Sequence, residues 1–478
     1  MFSRLAFVAL LFTVLACSDN SVRHLPDAPP GDGHEAIDAP SIDAPPGKAN
    51  VTVTANGSGV SGVVVYFQAA NATAVDTEMT DANGNATGSL GEGGFITAID
   101  PAPVATEDVV AAAMTDYLYT WANVLPGDHV YYATTNATAA FTLMIPTLGS
   151  ASDYVVQSTC TEYSETSPPV GTAAGSAYAV TLTLENCTGP QDFEIVATDG
   201  EGNALASFAA AGQTVAANGT LDLSGSTYVS ATTRSYTYTD YSDDESVVIT
   251  DGRISAHGVV YSPNYVLYAT GSPATATGPV PVTTPYMDAV SSEVYEQSND
   301  HYAYEWGQNG ATYSTDWGAH VLPDYTGQAT YDTPSHTLTF PFSGSAAGAT
   351  PNIYAGGVGT SRSSDGHVWY WTAIGADSPM VFPVLPTTTY DWNVGSADTV
   401  TETEEIELAV PGDADAARSV AFAMSSPFAL ATGSAGILSE NSYRVEEESI
   451  AVRGGHRRAQ PARRATALHG ARLPFRSR

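Results

Sequence analysis

Four carboxylates crowd into six residues at Asp240-Tyr241-Ser242-Asp243-Asp244-Glu245. Oxygens at that density suit Ca²⁺, which takes roughly six to eight hard oxygen ligands. The spacing lacks the glycine and distal glutamate of a helix-loop-helix calcium loop. A solvated acidic turn is therefore the competing reading of Asp240, Asp243, Asp244 and Glu245. The turns at Asp81/Asn83 and Asp199/Glu201/Asn203 carry similar chemistry. No other cofactor is invited by the sequence.

The second constellation is aromatic. His301-Tyr302-Ala303-Tyr304-Glu305-Trp306 is joined by Trp317, His367, Trp369, Trp371, Tyr390 and Trp392. On a strand, Tyr302, Tyr304 and Trp306 share one side, and so do Trp369 and Trp371. Exposed, such strips stack on sugar rings; covered, they fill a core. Glu305 with Asp316, or Glu404 with Glu405, would supply the two carboxylates of a glycosidase if the fold set them ~5–9 Å apart. Signatures of other chemistries are missing: there is no Gly-x-Ser-x-Gly elbow, His-Glu-x-x-His, phosphate-binding loop or dinucleotide glycine fingerprint. The single lysine, Lys48, closes a linker, which argues against lysine catalysis.

The elements that position these residues read as strands. Gly (43), Pro (29) and Tyr (26) are abundant in the 478 residues, and charged residues make up 14%. Thr, Val and Tyr favour half-buried strands, while Gly, Pro and Asn punctuate turns. The fold class is all-β, as tandem β-sandwich modules of Ig-like or prealbumin-like type after a disordered linker. Residues 18–48 repeat Asp-Ala-Pro at Asp27, Asp38 and Asp43 and hold nothing that forms a core. A first sandwich is expected over 49–148, a second over 149–232 and an aromatic-rich β domain over 233–447. The second is marked by the strict alternation of Tyr178-Ala179-Val180-Thr181-Leu182-Thr183-Leu184. Residues 448–478 form a basic, disordered tail.

Charge excludes one partner class. Fifty-one acids face sixteen bases, a net −35, and eight of those bases are arginines after Val452. Cys17 to Val452 holds seven bases against every acid, or −44. Such a body repels nucleic-acid phosphates.

Two resemblances sharpen the reading. Arg4, the apolar run Leu5–Leu15 and the ending Val14-Leu15-Ala16-Cys17 read as an export signal too short to span a bilayer. That ending resembles the lipobox of bacterial lipoproteins, which implies lipid on Cys17 (residues 1–17 being the signal), a membrane partner through that anchor, and an envelope location. Ser18 in place of Asp leans toward the outer membrane. With Cys17 so used, Cys160 and Cys187 form the even pair that reads as a disulfide in an exported protein. Gly62-Val63-Val64-Val65-Tyr66-Phe67 and Thr80-Asp81-Ala82-Asn83-Gly84-Asn85 resemble the carboxypeptidase-regulatory-like or transthyretin-like sandwich and related bacterial Ig-like modules. Phe67 departs from the family's second Val. The resemblance implies a supporting or binding module and supplies no catalytic residue. The expectation is a non-catalytic envelope lipoprotein that binds a glycan or protein or serves structurally. Its rival is a polysaccharide hydrolase with its site in the aromatic-rich region.

Overall fold

Alternation along the chain becomes sheet. The computed structural model describes residues 47–443, apart from 56–57, 72–73, 101–115, 135–137, 160, 169–171, 186–189, 217, 241–246, 256–257, 270, 272, 282–284, 297–298, 308–309, 343–347, 388–390 and 424–434. The protein is all-β, with stacked sheets. The one α-helix among the described residues is Ala414–Val420, started by Asp413, whose carboxylate accepts from the N–H groups of Asp415 and Ala416.

A twelve-stranded sheet dominates. Its order is Gly258–Ala269, Val247–Ser255, Met287–Glu296, Asn299–Trp306, Gly436–Tyr443, Thr399–Ala409, Ile353–Ser361, Val368–Gly375, Asp116–Val124, Gly94–Asp100, Val64–Gln68 and Ala74–Met79. Every neighbouring pair is antiparallel except Val368–Gly375 with Asp116–Val124, which run parallel. That parallel seam joins strands expected in the first sandwich to strands expected in the aromatic-rich domain. The two regions share one sheet.

Each face is covered differently. One face lies on a small sheet built from Lys48–Ala55, which pairs with Ser58–Gly59, Asn85–Ser89 and His129–Thr134. Val51, Val53 and Val130 meet Tyr119, Trp121, Tyr304, Trp306 and Leu438 there, and Phe422 follows the helix into the same core. The opposite face is covered at one end by Thr232–Thr239, Ala274–Val280 and Thr312–Asp316, and at the other by Thr330–Asp332, Thr337–Thr339 and Met380–Val381.

Glycines in this sheet make room for rings. A Cβ on Gly357 would sit 2.1 Å from the Tyr370 hydroxyl oxygen, and one on Gly436 would sit 2.3 Å from the Trp306 ring. An aromatic lying flat across a strand needs a residue without a side chain beneath it.

An eight-stranded sheet forms the second unit, in the order Thr220–Asp222, Thr138–Pro146, Ala177–Glu185, Thr161–Thr166, Asp153–Ser158, Gln191–Thr198, Ala204–Gln213 and Val229–Ser230. Its core holds Phe141, Leu143, Ile145, Tyr154, Val180, Leu182 and Phe193. Thr138–Pro146, read from sequence as the close of the first sandwich, pairs along its length with Ala177–Glu185 and belongs here.

Candidate functional site

The aromatic residues fall into separate cores instead of one strip, with Trp317 in a cluster of its own beside Tyr238. Tyr304 and Trp306 are buried against the small sheet, with Tyr302 at the margin of that cluster. Tyr302 and Tyr304 stack at 5.8 Å, and the Tyr302 hydroxyl donates to Glu293. Trp369 and Trp371 are 0% exposed on the other face of the sheet. The Trp371 indole donates to the Thr120 hydroxyl at 2.8 Å, and Phe382 meets its ring edge-on at 5.3 Å. The glycan strip expected from Tyr302, Tyr304, Trp306, Trp369 and Trp371 is thus corrected to core packing on two sides. The period of two put the right residues together; the covering layers decided that they are hidden.

The carboxylate pairs diverge. Glu305 is buried and accepts from the Thr315 hydroxyl, while Asp316, one residue on, points outward. Burial raises the Glu305 carboxyl to about 7. Glu404 accepts from the Tyr370 hydroxyl at 2.7 Å, whereas Glu405 turns to the opposite face and accepts from the Ala329 N–H at 2.7 Å. Adjacent strand residues cannot converge on one bond.

Two buried polar systems were not anticipated. In the first, His301, Asn441 and Glu407 lie side by side across three strands, with Asn299 and Glu405 beyond them. The segment 323–329 is strapped over them. Asp324 bonds His301 at 2.9 Å, Asn441 donates to the Pro323 carbonyl at 2.7 Å, and Asn299 accepts from the Tyr325 N–H at 2.8 Å. Burial lifts Glu405 and Glu407 to about 8 each. Both are therefore uncharged around neutrality. In the sequence these acids alternate with Ile406 and Leu408. In the sheet both faces of this central strand are covered.

The second system holds two arginines against three acids. Arg234 bridges Asp251 at 3.1 Å and Asp288 at 2.7 Å, and Arg253 lies 3.2 Å from Asp251 and 3.8 Å from Glu194. Glu194 comes from the eight-stranded sheet, so the network crosses between the two units. The Tyr286 hydroxyl, donating to the Phe193 carbonyl at 2.9 Å, crosses beside it. Burial raises Glu194 to about 7, opposed by the Arg253 charge. The sequence signal was scarcity. Between residues 24 and 417 the chain has four bases, Lys48, Arg234, Arg253 and Arg362, and all three arginines pair with acids.

The acidic turns resolve in part. Asp81 accepts from the N–H groups of Asn83 and Asn85 at 2.8 and 2.9 Å, and Asp199 does the same with Glu201 and Asn203 at 2.9 Å each. Gly84 and Gly202 hold φ of +80° and +87°. These are two copies of one turn, with an oxygen of each aspartate spent on the backbone. Asp240 is exposed at a φ of +52°. Asp243, Asp244 and Glu245 lie outside the described residues, as do Cys17, Cys160 and Cys187. Among the described residues no cluster of three or more His, Cys, Asp or Glu is placed to hold a metal, and no helix is long and apolar enough to cross a membrane.

No family model and no curated protein matches this chain. Among solved structures, the chain is similar to the tip fimbrial protein Mfa3 from Porphyromonas gingivalis with a C-terminal truncation. That match has 10% identity and a TM-score of 0.15, and covers 33% of this chain and 80% of that one. The Bacillus anthracis TIE protein matches at 10% identity and a TM-score of 0.14, over 57% of this chain and 49% of that one.

Proposed function

We propose that this chain is a non-catalytic protein of the bacterial cell envelope, anchored by lipid on Cys17 and displayed beyond the Asp-Ala-Pro linker. Its β body acts as a rigid binding or structural scaffold. The observation that carries the reading is where the reactive side chains are spent. Tyr304, Trp306, Trp369 and Trp371 fill cores. Glu305 and Glu405 are buried on one face of the large sheet, where each satisfies a hydroxyl or backbone donor, and Glu404 satisfies the Tyr370 hydroxyl on the other. A hydrolase needs two acids converging on one open cleft, whereas Asp316 points away from the buried Glu305 and Glu404 points away from Glu405.

Rigidity has a physical source in the strand pairing. The parallel seam and the buried arginine network tie regions far apart in sequence through backbone and charge-assisted bonds. The linker before Gly47 would reach on the order of 90 Å if extended at ~3.1 Å per residue, clearing a membrane surface. An outer-membrane location follows from Ser18 under this reading.

The test is fractionation of cells expressing the native chain and Cys17→Ser. The native protein should enter the detergent phase and the variant should not; equal partitioning of both overturns the anchor. Reducing ends appearing when the purified body is mixed with polysaccharides would overturn the non-catalytic assignment.

A further inference from the structure

The small sheet has a second face, turned away from the core. Ala49, Val51 and Val53 point inward and are buried, so Asn50, Thr52 and Thr54 point outward. The register sets two rows across three strands. Thr87, Asn50 and His129 form one; Asn85, Thr52 and Tyr131 form the other. None of these six side chains is acidic, on a chain of net charge −35.

The rows are locked by their own bonds. Thr87 donates to the Asn50 amide oxygen at 2.6 Å, and Thr52 donates to the Asn85 amide oxygen at 2.6 Å. The Thr52 hydroxyl also lies 2.7 Å from His129 Nε2. A hydroxyl has one proton. Since Thr52 gives its own to Asn85, His129 must donate from Nε2. Burial holds the His129 imidazole down at about 4, which leaves Nε2 as the ring's protonated nitrogen at neutral pH. The rings of His129 and Tyr131 stack at 4.3 Å and 13°. With both amide oxygens occupied, the NH₂ groups of Asn50 and Asn85 are left as donors beside the half-buried Tyr131 ring, one face of which His129 covers.

We propose that this face binds a neutral oligosaccharide, which deepens the binding reading above and rests on it. Sugar hydroxyls exchange hydrogen bonds with amide and hydroxyl groups, and a pyranose ring packs its C–H face on a tyrosine. Side chains already fixed by cross-strand bonds lose little freedom on binding. A polyanion is disfavoured by the charge of the body. A protein partner is the poorer fit, because interface cores are rich in large apolar groups. The exposed large hydrophobics among the described residues, Met79, Leu125, Val229, Val381 and Val384, all lie outside the two rows.

The test is a glycan array of neutral and acidic polysaccharides probed with the full-length protein, Tyr131→Ala, Asn85→Ala and Val381→Ser. Neutral glycans should bind, with affinity falling about tenfold or more for Tyr131→Ala and Asn85→Ala. Val381→Ser should bind as the native chain does. Melting curves identify any variant that has lost its fold, and Tyr131→Phe, which keeps the ring, should then retain binding. Binding only of acidic polymers, binding indifferent to Tyr131 and Asn85, or no binding to any neutral glycan overturns the proposal. None of these outcomes bears on the envelope anchor, which Cys17→Ser decides separately.

Discussion

Replacing Glu405 by Gln should make the protein more stable at alkaline pH and leave it nearly unchanged in acid. Glu405 is 3% exposed in the middle of the large sheet and accepts the Ala329 N–H of the overlying strap. Burial is the main cause that raises its carboxyl from 4.5 to about 8, with the Ala329 hydrogen bond opposing and the Glu404 charge reinforcing. The folded state therefore keeps a proton that the unfolded chain releases from pH 4.5 upward. The stability tied to that proton is complete below about 4.5 and is lost as the pH climbs through about 8. Each tenfold gain in proton affinity on folding is worth about 1.36 kcal/mol, which sets a ceiling of about 5 kcal/mol. Relaxation or water entry around the charge brings the expectation to ~2–5 kcal/mol. Gln keeps the carbonyl oxygen that Ala329 needs and cannot ionise. Urea unfolding of both proteins at pH 4.5, 7 and 9 reads the difference. The variant should lie within ~1 kcal/mol of the native protein at pH 4.5 and gain on it steadily to pH 9. A gap of the same size at all three pH values would refute the reasoning, since the carboxyl would then not titrate between them.

Arg253→Met should cost ~3–5 kcal/mol in urea unfolding, because Asp251, Asp288 and Glu194 keep their burial and lose a cation. Adding Glu194→Gln should return part of that loss, and a double variant no better than the single one would count against the network. Gly88→Ala should destabilise by ~1–3 kcal/mol, since the new Cβ would lie 2.1 Å from the Phe67 ring in the core beneath the small sheet. Labelling of denatured, unreduced protein should find no free thiol at Cys160 or Cys187, and both should label after reduction.

Local pattern was enough for a good part of this molecule. The alternation at Tyr178–Leu184 gave a strand with Val180 and Leu182 inside. The Asp-x-x-Gly-Asn spacing at Asp81 and Asp199 gave two turns, because aspartate bonds its own turn backbone and glycine accepts positive φ. Composition gave the all-β class, and charge counting showed how rare a basic residue is in the body. Each of these depends on neighbours a few residues away.

What only the tertiary structure decided is which faces are covered. A strand's period of two fixes that Trp369 and Trp371 share a side, and says nothing about whether another sheet lies on that side. Here one does, so they are core. Glu405 and Glu407 share a face in the same way, and the strap 323–329 together with the central position of their strand buries it. The parallel seam of Asp116–Val124 with Val368–Gly375 joins residues about 250 apart, and no local period encodes such a pairing. Long-range contact is set by the summed fit of whole faces, a property of the assembled sheets and not of any window of sequence.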